Sequence, residues 1–184
     1  MATIPLLVLL MATIFSAAPP VAGEPPNVVP FACKAATAAG GGTFDEAFCL
    51  STLEGSKSSV GAADYADLAV VAVDLATANV TATEAKIDAL LASNNISGAA
   101  VVQGLQSCRA LYGAVVRQYQ PECRAAVKGG RYGDGKKCLG RTAQAVAACE
   151  RWFQQRKVAS PVAAEDVVLA MLANLAIALA SIAN

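Results

Sequence analysis

The chain of 184 residues contains no histidine, and aromatic residues make up only 5% of it. Histidine is the most frequent general acid–base group of enzymes and the commonest metal ligand. The sequence also has no Cys-x-x-Cys pair, no Gly-x-Ser-x-Gly elbow and no complete phosphate-binding glycine loop. We therefore predict a protein that is not an enzyme and that holds neither a metal ion nor a cofactor.

Basic residues are missing from the first 33 positions, where an apolar run at residues 6–15 ends shortly before Pro19 and Pro20. A short apolar run followed by small residues is typical of a secretory signal peptide, here residues 1–23, although the usual basic start is absent. A membrane anchor is the alternative, which the short run and the two prolines disfavour. The segment predicts a secreted, extracellular protein.

All six cysteines follow this segment, at positions 33, 49, 108, 123, 138 and 149. An even number of cysteines beyond a signal peptide indicates disulfides formed in an oxidising compartment. The sequons that begin at Asn79 and Asn95 are candidate N-glycosylation sites and agree with secretion.

Hydrophobic residues, many of them alanine, make up 55% of the chain. Alanine favours helices, and apolar residues recur at steps of three and four, as on one face of a helix. Four long helices are predicted at about residues 64–93, 99–127, 136–156 and 164–182. The breaks between them are short, so we expect antiparallel neighbours and an all-α, up-down four-helix bundle over residues 60–184.

A shorter pair of helices is predicted ahead of the bundle, over residues 29–39 and 44–53. Thr43 would cap the second of them, with Glu46 completing a capping box. A disulfide between Cys33 and Cys49 would close this helical hairpin, which is too small to hold itself together. Residues 24–59 are therefore predicted to be an N-terminal hairpin extension.

Two features of the long helices depart from a simple amphipathic pattern. Pro121 is expected to kink or break the second long helix near Gln120. Residues 167–183 are almost entirely apolar and could be a membrane tail or a lipid-anchor signal. The stretch is short for a span and contains Asn174, so we interpret it as a buried bundle helix, with the mature protein outside the membrane.

The other four cysteines fit one antiparallel helical hairpin. Facing residues in such a hairpin have numbers with a nearly constant sum, and this holds for Cys108 with Cys149 and for Cys123 with Cys138. The helical phases of the two nested pairs also agree. The alternative is that Cys123 and Cys138 are free or pair with another chain, because six cysteines allow fifteen connectivities.

Charge is unevenly distributed, although 14 acidic and 14 basic residues cancel. Residues 24–107 hold nine acidic and three basic residues, and residues 108–157 hold three acidic and eleven basic ones. This suggests an oriented contact with an anionic partner, but no nucleic acid. The candidates for that contact are Arg117, Arg124, Lys128, Arg131, Tyr132, Lys136 and Lys137. An ordinary solvated helix surface would look the same.

The ordered set of motifs resembles the plant invertase and pectin methylesterase inhibitor family. Cys33 and Cys49 are similar to the family's hairpin pair, and Cys108 with Tyr112 is similar to its Cys-x-x-x-Tyr. The run at residues 141–153 and the Ser-Pro-Val at 160–162 are also similar. The resemblance implies a hairpin closed by one disulfide, then a four-helix bundle with a second disulfide. Pro121 and the pair Cys123 and Cys138 depart from the family's basic four-cysteine pattern.

The resemblance implies an inhibitor that binds a cell-wall enzyme one to one and covers its active-site cleft. Some invertase inhibitors of the family carry Pro-Lys-Phe near the turn between the second and third bundle helices. Residues 130–134 read Gly-Arg-Tyr-Gly-Asp instead, which is closer to the Gly-Asp-Tyr of pectin methylesterase inhibitors. We therefore expect pectin methylesterase as the partner and acid invertase as the alternative.

The place of action implied by this resemblance is the apoplast or cell wall, or the vacuole for an invertase target. A different class of function is a non-enzymatic binder of anionic wall polysaccharide such as pectin, which the basic segment would suit. An apolar-ligand carrier is a third reading of the alanine-rich core, although small side chains usually mean close helix packing.

Overall fold

The computed structural model describes residues 27–93, 96 and 98–184 of the chain. The secondary structure of this part is helical, with no strand, so the predicted all-α class is confirmed. The predicted signal peptide at residues 1–23 and the sequon residue Asn95 lie outside the described residues.

The described helices follow the predicted order closely. The α-helices are α1 Val29–Ala39, α2 Glu46–Glu54, α3 Tyr65–Ala92, α4 Ala99–Ala114, α5 Gln120–Lys128, α6 Tyr132–Arg156 and α7 Ala163–Ile182. A 3-10 turn, Lys57–Ser59, joins the hairpin to α3, and a π-helical turn, Val115–Tyr119, joins α4 to α5. Helix α6 begins four residues earlier than the sequence pattern indicated.

The N-terminal hairpin consists of α1 and α2, and the Cys33–Cys49 disulfide joins them with 5.6 Å between the two Cα atoms. The predicted cap at Thr43 is wrong. Asp45 caps α2, because its carboxylate accepts a 2.7 Å hydrogen bond from the backbone N–H of Phe48. The hydroxyl of Thr43 instead donates to the carbonyl of Gly40 within the turn. The domain division between residues 24–59 and 60–184 stays a prediction.

Four antiparallel helical rods form the bundle: α3, the α4–α5 rod, α6 and α7. Helix α7 packs on both α3 and α6, the α4–α5 rod also packs on both, and α3 therefore lies diagonally opposite α6. The core has two regions. One surrounds the hairpin, the start of α3 and the α5–α6 turn, and the other surrounds the Cys108–Cys149 disulfide. The first region is rich in alanine, so its helix backbones lie close together.

The second long helix is irregular next to Pro121, near Gln120 as predicted, but it does not end there. Proline has no N–H and its ring collides with the carbonyl four residues earlier, so an ordinary α-helix cannot continue unchanged. The chain widens by one π-helical turn just before the proline, and the N–H of Gln120 bonds to the carbonyl of Val115. The rod therefore stays helical through Lys128 and keeps Cys123 on the face toward α6.

The side chain of Gln120 anchors this irregular turn in the core. It is 1% exposed, accepts a 3.1 Å hydrogen bond from the Thr77 hydroxyl of α3, and donates a 3.3 Å bond to the Thr142 hydroxyl of α6. A buried amide with both ends paired is tolerated, and it fixes the position of its helix relative to two neighbours.

Two described helices, α3 and α7, are long and apolar enough to cross a membrane by composition alone. The relevant stretches are 44% and 50% buried inside the bundle. Their apolar character is accounted for by their contacts with each other and, for α7, with α6 and α1.

Glycine at position 104 allows α4 to approach α6 closely, and this gives a test of the packing. A Cβ there would lie 2.7 Å from ring atoms of Phe153 and Trp152. We expect Gly104→Ala to lower the free energy of unfolding by about 1–3 kcal/mol, because the added methyl group would overpack the core of the variant. Thermal denaturation followed by circular dichroism measures this.

The matched control is Gly140→Ala, in the interior of α6, where an added Cβ meets open space. This change should be neutral or stabilising by up to about 1 kcal/mol, since alanine is the better helix former. Equal midpoints for the two variants would contradict the close α4–α6 packing.

Candidate partner-binding site

The α5–α6 turn closes the hairpin through backbone chemistry that requires glycine. Gly130 has φ +70°, the left-handed region. Its N–H donates to the carbonyl of Val127, and the N–H of Arg131 donates to the carbonyl of Ala126. This pair of bonds is a Schellman motif, which ends α5 and turns the chain into α6 within three residues.

A disulfide and close helix packing attach the α5–α6 turn to the rest of the bundle. The Cys123–Cys138 disulfide joins α5 to α6 with 5.3 Å between the Cα atoms. Gly135 allows α6 to pass next to Val127, because a Cβ at this position would lie 2.6 Å from a Val127 methyl group. Tyr132 packs its half-buried ring against the hairpin-side core. The exposed side chains of the turn are therefore attached to a rigid part of the structure.

Three arginines of the α4–α5 rod pair with three acidic residues of α3. Their guanidinium–carboxylate distances are 2.5 Å for Arg109–Asp88, 3.6 Å for Arg117–Glu84 and 2.6 Å for Arg124–Asp74. Residue numbers rise on one rod as they fall on the other, so the pairs follow the antiparallel seam. We call this set the arginine ladder. The charge separation seen along the sequence is thus partly cancelled inside the molecule.

The seven predicted contact residues consequently divide into two groups. Arg117 and Arg124 belong to the arginine ladder, and their charges are already compensated. The remaining five lie at the α5–α6 turn, and we call them the tip: Lys128, Arg131, Tyr132, Lys136 and Lys137. Arg131 has Asp134 at 3.8 Å, while the three tip lysines make no ion pair with any described residue.

A cleft of about 350 Å³ lies beside the arginine ladder, between α3 and α4. Glu84, Gln106, Arg109, Ala110 and Arg117 line it. Polar and paired groups dominate these walls, so the cleft does not suit an apolar ligand.

A buried polar cluster, which the sequence patterns did not reveal, links three bundle helices. The hydroxyl of Tyr112 on α4 donates to a carboxylate oxygen of Asp166 on α7, and Glu150 of α6 lies beside them. Asp166 is 1% exposed. An acidic residue in the first turn of a helix usually stabilises the helix dipole from the surface, but the side chain of Asp166 turns inward.

Burial raises the pKa of Asp166 to about 8, with a further contribution from neighbouring Glu150. Burial and the same aspartate raise the pKa of Tyr112 above its ordinary value. The neighbouring Glu165 behaves oppositely, since its ion pair with Lys86 lowers its pKa. The two adjacent carboxyl groups at the start of α7 thus differ because only one faces the core.

Cys149, Glu150 and Asp166 are the only potential metal-ligand cluster in the part of the chain that the structure describes, with ligand atoms within 4.8 Å. Cys149 is bonded to Cys108, so its sulfur is not available as a thiolate. The raised pKa of Asp166 favours its neutral form, which is a poor ligand for a cation.

The predicted glycosylation site Asn79 lies in the middle of α3, where its side chain is half-buried. Its backbone carbonyl accepts a hydrogen bond from the hydroxyl of Thr83. Its use stays a prediction, as does that of Asn95.

These features define a class of protein: a disulfide-bonded four-helix bundle with a hairpin extension and a rigid basic turn. A solved structure with this fold is the crystal structure of mutant form A of a pectin methylesterase inhibitor from Arabidopsis. The TM-score is 0.67 at 17% identity, over 84% of this chain and 96% of that chain. Such a likeness shows the shared fold.

The family follows from the sequence itself. The model of the plant invertase/pectin methylesterase inhibitor family matches residues 28–179, which is most of the chain. The protein therefore belongs to the plant invertase/pectin methylesterase inhibitor family. No curated protein sequence matches it.

The buried cluster predicts an unusual pH dependence of stability. Between pH 5 and 8 the unfolded chain has lost the Asp166 proton (unfolded pKa about 4) while the folded chain still holds it. The folded state binds more protons, so the free energy of unfolding should fall as pH rises through this window. Thermal unfolding midpoints at pH 5, 6.5 and 8 measure the fall.

Asp166→Asn keeps a neutral side chain of the same shape and should flatten this profile. Glu165→Gln is the matched control. Because the pKa of Glu165 is lowered, its contribution to the free energy of unfolding is fully present above about pH 4.5 and is lost only as the pH falls below that value. The control should keep the wild-type decline between pH 5 and 8. An unchanged slope in the Asp166 variant would contradict the assignment.

Proposed function

We propose that this protein is a secreted proteinaceous inhibitor of pectin methylesterase, which it binds one to one over the active-site cleft. Members of its family are inhibitors and not enzymes, and their targets are pectin methylesterase or invertase. The observation that carries the proposal is the family match over residues 28–179. The fold shared with an Arabidopsis pectin methylesterase inhibitor supports it.

The choice of target is based on the residues at the tip. The sequence there is Gly130-Arg131-Tyr132, and it lacks the Pro-Lys-Phe of some invertase inhibitors. The backbone at Tyr132 is held in place by the Cys123–Cys138 disulfide and the Schellman motif. A rigidly held aromatic side chain is a favourable interface anchor, because little conformational entropy is lost on binding.

The tip is the proposed contact surface, and charge compensation is the reason. Lys128, Lys136 and Lys137 have no internal ion-pair partner among the described residues, so their charges are available to an acidic surface. Arg117 and Arg124 are held by acidic residues of α3, and an enzyme would have to displace those partners. We therefore assign them a smaller share of the binding energy.

Secretion to the apoplast or cell wall is part of the proposal. Three disulfides persist only in an oxidising environment, and the apolar run at residues 6–15 supplies the expected signal. An invertase target would make the vacuole an equally suitable location.

Titration of the disulfide-bonded protein against purified pectin methylesterase and acid invertase tests the function. We expect pectin methylesterase activity to fall in proportion to added protein and to reach its minimum near an equimolar ratio. Invertase activity should be unaffected. Loss of invertase activity alone would assign the alternative target, and no loss of either activity would contradict an inhibitor of these enzymes.

Charge removal at the tip tests the contact surface. The triple variant Lys128→Gln/Lys136→Gln/Lys137→Gln should weaken inhibition by roughly ten- to a hundred-fold, mainly at low ionic strength, because rim charges act through long-range attraction. The matched control Lys34→Gln/Lys57→Gln/Arg109→Gln removes the same charge elsewhere and should retain inhibition within about two-fold. Equal effects of the two variants would place the interface elsewhere.

A further inference from the structure

Helix α6 has a charge composition that neither the bundle nor the tip explains. Beyond its first turn, the helix and its cap contain six basic residues: Lys136, Lys137, Arg141, Arg151, Arg156 and Lys157. The same stretch contains one acidic residue, Glu150, whose carboxylate group has a buried oxygen and lies near Asp166. The solvent-facing side of this stretch therefore presents positive charge without any negative charge of its own.

Most basic residues of α6 also lack the ion pairs that the arginines of the α4–α5 rod form. The arginine ladder brings the α4–α5 rod against acidic residues of α3, whereas α6 lies diagonally opposite α3 and does not reach them. Among the described residues, Arg141 is the one base of this stretch with an ion pair, at 2.8 Å from Glu122. Arg156 stacks on the ring of Trp152 and remains exposed.

Helical spacing aligns part of this charge in a straight line. Successive residues advance by about 100° and 1.5 Å, so five exposed residues share one face within about 80° and over about 27 Å. We call them the α6 stripe: Lys137, Arg141, Gln144, Arg151 and Gln155. The stripe combines three cations with two amides, and amides can bond to both carboxylates and hydroxyls. It contains no aromatic or large apolar side chain.

We propose that the α6 stripe is a docking surface for a linear, carboxylate-bearing polysaccharide, namely de-esterified pectin. A row of separated cations matches a polymer that repeats its negative charge, and the amides match its hydroxyl groups. Hydrolysis of a pectin methyl ester leaves a carboxylate on the chain, so the product of the proposed target enzyme has this chemistry. The partner is therefore identified by its repeated negative charge and its linear form.

The consequence is a second binding activity whose surface runs along α6 and shares only Lys137 with the enzyme-contact tip. Attachment to de-esterified pectin would concentrate the inhibitor where the enzyme has already acted, which raises its local concentration near the target. This role builds on the proposed function, but binding to the polymer itself does not require any enzyme. The two proposals can therefore fail independently.

The test measures binding of the purified chain, with its disulfides intact and no enzyme present, to two immobilised polymers. One is polygalacturonate without methyl esters, and the other is highly methyl-esterified pectin. We expect binding to the first only, with an affinity that falls as sodium chloride rises from about 50 to 300 mM. The variant Arg141→Gln/Arg151→Gln should weaken binding by about five-fold or more.

The matched control Lys34→Gln/Arg109→Gln removes two charges away from the stripe and should change the affinity less than about two-fold. Thermal melts verify that both variants are folded. Equal binding to both polymers, or equal affinities of the two variants, would overturn the proposal. Retained polygalacturonate binding by a chain that inhibits neither enzyme would contradict the proposed function and leave this proposal standing.

Discussion

The register between the α4–α5 rod and α6 is the constraint on which the other features depend. Two disulfides, Cys108–Cys149 near one end and Cys123–Cys138 near the other, fix it at two separated points. A rod fastened twice can neither slide nor rotate against its neighbour. The π-helical turn before Pro121 preserves this arrangement, because it absorbs the irregularity between the two bridges without turning Cys123 away from α6.

This register determines how the charges of the molecule are distributed. With the α4–α5 rod in place, its arginines meet the acidic residues of α3, while the bases of α6 face solvent on the opposite diagonal. Surface ion pairs contribute little stability, commonly 0–1 kcal/mol each. Their larger effect is to remove some cations from the set available to a partner. The tip and the α6 stripe are the remaining basic surfaces.

The interior of the bundle is rigid and holds the polar surface residues in place, which suits a binding protein. Alanine-rich packing and two buried polar groups, Gln120 and Asp166, hold the helices in one arrangement. The surface residues thereby stand on a scaffold that needs little reorganisation on binding. A binder of this kind contributes affinity through preorganised contacts, and it needs no catalytic group.

The spacing of the cysteines allowed the observed pairs but left the state of Cys123 and Cys138 open. The sequence by itself determined the helical class, the helix limits to within a few residues and the family. These properties depend on local periodicity and on residue spacing along single helices. Which cations are compensated, why Asp166 faces the core, and which bases of α6 stay without a partner were decided by the tertiary structure. Each depends on how residues far apart in the chain are brought together: Asp74 and Arg124, or Tyr112 and Asp166, are about 50 positions apart. Local sequence patterns carry no information about such contacts. The mistaken cap at Thr43 was a small local error, whereas the charged surfaces could be identified only from the packed bundle.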